Sequence, residues 1–221
     1  MLFRSMRTNI RNVTPKERML KSLRSALLQK KDNPYPDFEE EALYEDAKDS
    51  LDITFAQQLI EAKGNFVYCD GEISLIENLV LLVESIGLEN IGVWEEEIIE
   101  LLDIYAFPYT KDKSKVKELS CGITTCDYLI ARHGSVLISS ANSSGRELSI
   151  FPPVHIVVAR SSQLVMDVKH ALEGMKSKYN PLPSMMSVIT GPSRTADIEK
   201  RLVLGAHGPK ELYVLMLEDR F

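Results

Sequence analysis

The chain is 221 residues long, 44% hydrophobic and 26% charged, with a formal net charge of −6 at pH 7. That length and apolar content suit one globular domain with a sizeable core and exclude a disordered chain. The acidic balance argues against a general nucleic-acid binder, which needs clustered Lys and Arg, yet it leaves room for a local basic pocket that takes a small anion.

Met1 to Asn12 are basic without a single acid and hold no signal-peptide apolar core, so they read as a loose or helical arm. A helix entry follows. Thr14 can cap, Pro15 suits the first helical position, and Glu17 can reach back to complete a capping box. Leu20, Leu23 and Leu27 then recur at helical spacing, until Pro34 and Pro36 break the pattern. Residues 1–37 are therefore expected to form a helical arm and linker, suited to packing or dimer contacts. Residues 38–221 are expected to form one α/β domain.

That domain starts with an acidic, helix-like stretch from Glu39 to Lys63, ended by Gly64, with Glu39, Glu40 and Glu41 on a solvated face. Asn65–Cys69 reads as a short buried strand. Glu72–Gly87 reads as a helix, with Leu75, Leu79, Leu82 and Ile86 on its apolar face. A second strand at Ile91–Glu95 precedes a helix or turn at Glu96–Ala106. This alternation predicts an α/β fold: a mainly parallel sheet with flanking helices, plus the N-terminal helical arm. Two apolar runs around His133-Gly134 predict a hairpin, followed by a polar loop at Asn142–Ser149. A strand at Val154–Ala159, a helix at Ser162–Lys178 and a strand at Ser184–Thr190 come next. A helix over Thr195–Leu204 and a last strand at Glu211–Leu217 complete the chain. The longest apolar run, Leu79 to Val83, is too short to span a bilayer, so the expected location is the cytoplasm.

Cys69, Cys121 and Cys126 make neither a disulfide framework nor a Cys-x-x-Cys motif, and read as buried free thiols in a reducing compartment. Three cysteines do not hold an iron–sulfur cluster. No two of the four histidines have helical metal-ligand spacing, so no metal is expected. There is no Walker loop, no Gly-x-Gly-x-x-Gly and no Gly-x-Ser-x-Gly elbow, and no cofactor is predicted.

In an open parallel sheet, ligands bind beyond the carboxyl ends of the strands. The turn Thr190–Thr195 leaves such an end. Ser193 or Thr195 can cap the expected helix, whose free N–H groups favour an anion, and Arg194 adds a permanently charged fork for a carboxylate or phosphate. Two readings stand side by side: an anion cradle, or a well-capped helix with Arg194 in solvent. Asp197, in the first turn, serves as an acid or base near the anion, or only orients Arg194 and favours the helix dipole. The turn Gly205–Glu211 is expected at the opposite end of the sheet, which argues against His207 sharing the site. His155, at the start of its strand, is expected at that opposite end too. Each reads as a histidine tying a loop, with catalysis the lesser reading. His133 is placed to face the site from the hairpin.

The stretches "PPVHIVV", "GPSRTADIE" and "LVLGAHGPKELYVLML", in this order, resemble the LUD-domain family of lactate utilization proteins, of the C type (LutC/YkgG-like). The resemblance runs from about Phe55 to the C-terminus and is densest from Gly122 onward. "GRELSIFPPVHI" also fits the family's pattern, with Arg146 as the Arg that precedes Pro-Pro. At the hairpin the chain departs. The family reads Ala-Glu-Thr-Gly-Thr, whereas this chain reads Ala131-Arg132-His133-Gly134-Ser135, with Arg132 in place of the acid and a hydroxyl kept at Ser135. The resemblance implies a fold like that of ribose-phosphate isomerases, CoA transferases and formyltetrahydrofolate cyclo-ligases. It also implies a cluster-free component of a three-protein system that oxidises L-lactate to pyruvate with iron–sulfur partners. The alternatives are a stand-alone enzyme, or a ligand-sensing module, that binds a small phosphate, carboxylate or CoA-type anion. The candidate ligand-binding set is Ser193, Arg194, Thr195, Asp197, Gly134, Ser135, Arg146, Arg132 and His133, with His155 and His207 behind them.

Overall fold

A computed structural model describes residues 14–28, 49–142, 144, 146–198, 201–205 and 207–219. Two compact units divide the chain, Met1–Asp46 and Ala47–Phe221. In the first, α1 (Pro15–Leu28) opens with the expected capping box: Thr14 Oγ1 accepts the Glu17 N–H at 3.2 Å, and Glu17 Oε2 accepts the Thr14 N–H at 2.9 Å. Its apolar face of Leu20, Leu23 and Leu27 is exposed. The boundary at residues 37/38 and the acidic face of Glu39–Glu41 lie outside the described residues.

The second unit runs α2 (Leu51–Glu61), β1 (Asn65–Cys69), α3 (Glu72–Ile86), β2 (Ile91–Val93), α4 (Glu96–Ile104), β3 (Cys121–Thr124), β4 (Tyr128–Ile130), β5 (Ser135–Ser139), β6 (Val154–Arg160), β7 (Leu164–Val165), α5 (Val168–Lys178), β8 (Met186–Ile189), β9 (Arg194–Ile198), β10 (Arg201–Leu204) and β11 (Glu211–Leu217). Five strands form one wholly parallel sheet in the order β1-β11-β6-β3-β2. β6 and β11 are near-continuous apolar runs, as strands buried on both faces must be. On one face, Leu75, Leu79, Ile98 and Leu102 of α3 and α4 pack on Ile123, Ile156 and Leu215. On the other, Phe55 and Leu59 of α2 join Leu129 and Val136 against Val157, Val214 and Met216. Leu129 and Val136 belong to a second sheet, β7-β4-β5-β8, whose Ile130 and Leu137 meet Ala171 and Met175 of α5. The α/β class with a mainly parallel sheet therefore holds. Among the described residues, no helix is long and apolar enough to cross a membrane.

Four expectations need correction. The helix expected from Ser162 starts only at Val168, capped by Asp167, and Leu164–Val165 before it pair with β4 as β7. Thr195–Leu204 is not a helix but most of an antiparallel hairpin, β9 with β10, paired Thr195 to Val203 and Arg194 to Leu204. Thr195, Ile198 and Val203 branch at Cβ and favour the pleated backbone, and the Gly205 N–H closes the hairpin on Ser193 O at 2.9 Å. β8 is not part of the parallel sheet; it runs antiparallel to β5 in the second one. At the end of α2, it is Lys63 that takes the left-handed turn, with φ of 69°, while Gly64 allows close packing: a Cβ there would lie 2.4 Å from Leu59 Cδ1. β3 was not anticipated. It is four residues long, contains Gly122, and is held by β2 and β6 on either side.

Candidate functional site

The residues chosen from sequence gather mostly at the amino-terminal edge of the parallel sheet, away from its carboxyl ends. The turn after β8 packs on the end of α2, where a Cβ on Gly191 would fall 2.1 Å from the Ala62 carbonyl oxygen. Arg194 begins β9, not a helix, and its guanidinium donates to the same carbonyl at 3.2 Å. A cation at a helix C-terminus satisfies the orphan carbonyls and the dipole there. The helix N-terminus that would have made Ser193–Asp197 an anion cradle is therefore missing; Thr195 and Asp197 both lie on β9.

The turn Gly205–Glu211, expected at the opposite end, is in contact with the first one. Ser193 donates its N–H to Pro209 O at 2.8 Å, and a Cβ on Gly208 would lie 3.1 Å from Ser193 Cβ. His207 beside it is exposed. The hairpin turn is also a packing feature. Gly134 takes φ of 57° and presses on α2 so closely that a Cβ would sit 2.1 Å from Leu59 N. Ser135 is buried and hydrogen-bonds Thr190 through their hydroxyls at 2.7 Å. Arg132 is half-buried and gives its backbone N–H to Met166 O at 2.9 Å; His133 is exposed. Arg146 is exposed in the polar loop and accepts the Ser149 hydroxyl on its carbonyl at 3.2 Å.

The carboxyl edge holds something else. A cavity of about 410 Å³ opens there, of the size metabolite and cofactor sites have. Its floor comes from the ends of three parallel strands: Thr125 and Cys126 just past β3, Val158 and Arg160 of β6, and Leu217 of β11. Glu97, Glu100 and Leu101 of α4 line the cavity too, as do Asn142 and Lys178.

Glu95, two residues past β2 and just before α4, ties this edge together. It is 6% exposed, and one carboxylate oxygen accepts the Thr125 N–H at 2.9 Å and the Thr125 hydroxyl. The other accepts the Ser144 hydroxyl. Asn142 donates to Thr125 Oγ1 at 3.3 Å. One buried carboxylate thus fixes the loop after β3 and the polar loop after β5, with the charge-assisted bonds it needs. Gln163 adds a second brace, donating to Cys126 O at 2.5 Å and accepting the Arg160 N–H at 2.6 Å.

Two cations line the cavity. Arg160 bonds Glu97 through Nε and Nη2 at 3.3 and 3.0 Å and meets Asp219 at 3.5 Å. The Glu97 bond, partly offset by burial, keeps its pKa raised. Lys178 donates to Asp127 Oδ1 at 3.0 Å, and the Tyr179 hydroxyl donates to the same oxygen at 2.7 Å. Burial works against the Lys178 charge, but its bonds to Tyr179 and Asp127 outweigh it and raise its pKa. The Asp127 side chain is wholly buried. Beneath the floor, buried His155 shares a hydrogen bond with Thr124 Oγ1 through Nε2 at 2.9 Å, and burial lowers its pKa to about 4. It ties β6 to β3, as a structural histidine. Cys126 is buried, and that burial pushes its thiol pKa up, away from nucleophilic use. Among the described residues, no group of three His, Cys, Asp or Glu is placed to hold a metal ion.

Sequence reasoning missed Glu95, Thr125, Asp127, Asn142, Ser144 and Lys178. The usable signal was positional: once Cys121–Thr124 is read as a strand, Thr125 and Asp127 fall just past a carboxyl end, and Glu95 just past that of β2.

The LUD domain profile matches residues 54–217. Similar proteins include "Lactate utilization protein C" of Halalkalibacterium halodurans, 38% identical over 109 residues, 48% of this chain and 47% of that one. The protein of the same name from Bacillus velezensis is 30% identical over 142 residues, 62% and 59% of the two chains. The one from Macrococcus caseolyticus is 24% identical over 180 residues, 74% and 78%. The chain spans about half the length of the first two of these relatives. The crystal structure of a DUF162 family protein from Deinococcus radiodurans shares the fold, with a TM-score of 0.57 at 16% identity over 76% of this chain and 96% of that one.

Proposed function

This chain belongs to the LUD domain family, and on that premise we propose that it is a LutC-like lactate utilization protein, a cluster-free cytoplasmic component of a system that oxidises L-lactate to pyruvate with iron–sulfur partner proteins. The observation that carries the site is the cavity at the carboxyl edge, where the half-exposed Lys178 ammonium offers positive charge to a small organic acid. The relatives named for lactate utilization supply the substrate class. The three cysteines are buried free thiols, fewer than the four thiolates of a common cluster, which supports a reading with the redox centre on a partner. The test is deletion of the gene and growth on L-lactate as sole carbon source, with affinity purification of the tagged chain. A growth defect and recovery of an iron–sulfur protein are expected. Normal growth with no such partner sinks the reading.

A second reading is favoured by one feature: polar groups of the cavity are already held in place within this chain, Asn142 by Thr125 and Lys178 by Asp127. It then acts alone, as an enzyme or ligand sensor for a small carboxylate, phosphate or CoA-type anion. Turnover or a thermal shift with such a metabolite, in the absence of any partner, supports it. A flat metabolite screen removes it.

A further inference from the structure

We propose that the carboxyl-edge cavity selects a small monocarboxylate anchored by the Lys178 ammonium, and disfavours ligands that carry a second negative charge. This rests on the function proposed above and narrows its ligand class.

Lys178 ends α5 and reaches the cavity with its side chain 47% exposed. It is not a loose surface lysine. Of its three donors one goes to Asp127 Oδ1 and another is engaged by Tyr179, and Asp127 is itself fixed by the Tyr179 hydroxyl and by complete burial. The ammonium is thereby aimed, with one donor left for a ligand carboxylate. Beside it, Asn142 and Thr125 line the cavity, joined by a hydrogen bond, and offer neutral polar groups suited to a hydroxyl or carbonyl oxygen.

The remaining ionisable lining is of the wrong sign for a polyanion. Arg160 already meets two carboxylates, Glu97 and Asp219. Glu72 and Glu100 line the cavity as well. A ligand's first negative charge finds Lys178, whereas a second meets matched or negative side chains. Like charges a few ångströms apart in a partly screened cleft weaken binding on the order of tenfold. Recognition here combines one attractive group with a repulsive wall.

The test uses the full chain and calorimetric titration with L-lactate, pyruvate, L-malate and 3-phosphoglycerate. L-Malate is lactate with a second carboxylate, so the pair isolates the charge. Lactate or pyruvate is expected to bind about tenfold or more tightly than either dianion or phosphate. Lys178→Gln alone leaves Asp127 buried without its cation, so the double variant Lys178→Gln/Asp127→Asn is used, with circular dichroism and melting to establish folding. It is expected to lose about tenfold or more in lactate or pyruvate affinity, while Lys178→Arg retains most of it. Glu100→Gln is expected to narrow the gap between malate and lactate. Dianions that bind as well as lactate, or a folded double variant of undiminished affinity, overturn the inference and leave the lactate role standing. Failure of the native chain to bind any of the acids overturns both the inference and the carboxylate site it rests on.

Discussion

His155 should make the fold acid-sensitive well above the carboxylate range. Its ring is fully buried, and burial lowers its pKa from 6.5 to about 4. An unfolded chain takes up a proton on this side chain as pH falls through 6.5, while the native chain stays neutral until about pH 4. The stabilisation is therefore complete above pH 6.5, declines as pH falls toward 4, and levels off below. The whole difference corresponds to about 3 kcal/mol, of which about 2 kcal/mol is already lost at pH 5. Asp112 and Asp219 have pKa values held below the ordinary carboxylate value by their bonds to Ser114 and Ser162, so their titration falls below this window. The assay is urea unfolding at pH 7 and pH 5 on the native chain and on His155→Gln, which keeps a polar partner for Thr124. The native chain should lose about 2 kcal/mol more than the variant between the two pH values, a midpoint difference of about 1 M urea. Parallel losses in the two proteins would refute the assignment of a buried neutral histidine.

Other substitutions test the remaining contacts. Gly134→Ala combines a left-handed φ with a Cβ 2.1 Å from Leu59 N, so it should cost well over about 1 kcal/mol in a melting experiment. Arg194→Ala should cost about 1 kcal/mol of stability through the lost bond to Ala62 O and leave ligand affinity at the carboxyl edge unchanged. A drop in affinity would return Arg194 to the binding site. Tyr179→Phe removes a bond to a buried carboxylate and should cost about 2 kcal/mol by chemical unfolding. All three cysteines are buried, and burial raises their thiol pKa values, that of Cys69 to about 11. A colorimetric thiol reagent at neutral pH should titrate none in the native chain and all three in urea.

The two edges of the parallel sheet carry different kinds of residue. At the amino edge, the glycines of the "GPSRT" and hairpin turns let backbone approach α2 within reach of a carbonyl or an amide. These residues build packing. At the carboxyl edge, polar side chains from strand ends are held by other side chains, Glu95 to Ser144 and Asp127 to Lys178. That arrangement pre-orients groups around a cavity, which is what ligand recognition needs.

By itself the sequence determined whatever is decided within a turn or two of chain. The Thr14–Glu17 capping box joins groups three residues apart, and the periodic apolar face of α3 and the apolar runs of β6 and β11 mark their burial without reference to anything distant. The alternation of these elements was enough for the α/β class, and the ordered C-terminal stretches were enough for the family. Tertiary structure decided the rest. β3 is too short to announce itself and exists because β2 and β6 pair with it on both sides. The segment Thr195–Leu204 has a pattern that serves helix or hairpin, and pairing across the turn selected the hairpin. The site was the least legible part, because Glu95 meets a residue 49 positions away and Lys178 one 51 positions away. Such contacts leave no local period, and only the closing of the sheet brings their partners within a hydrogen bond.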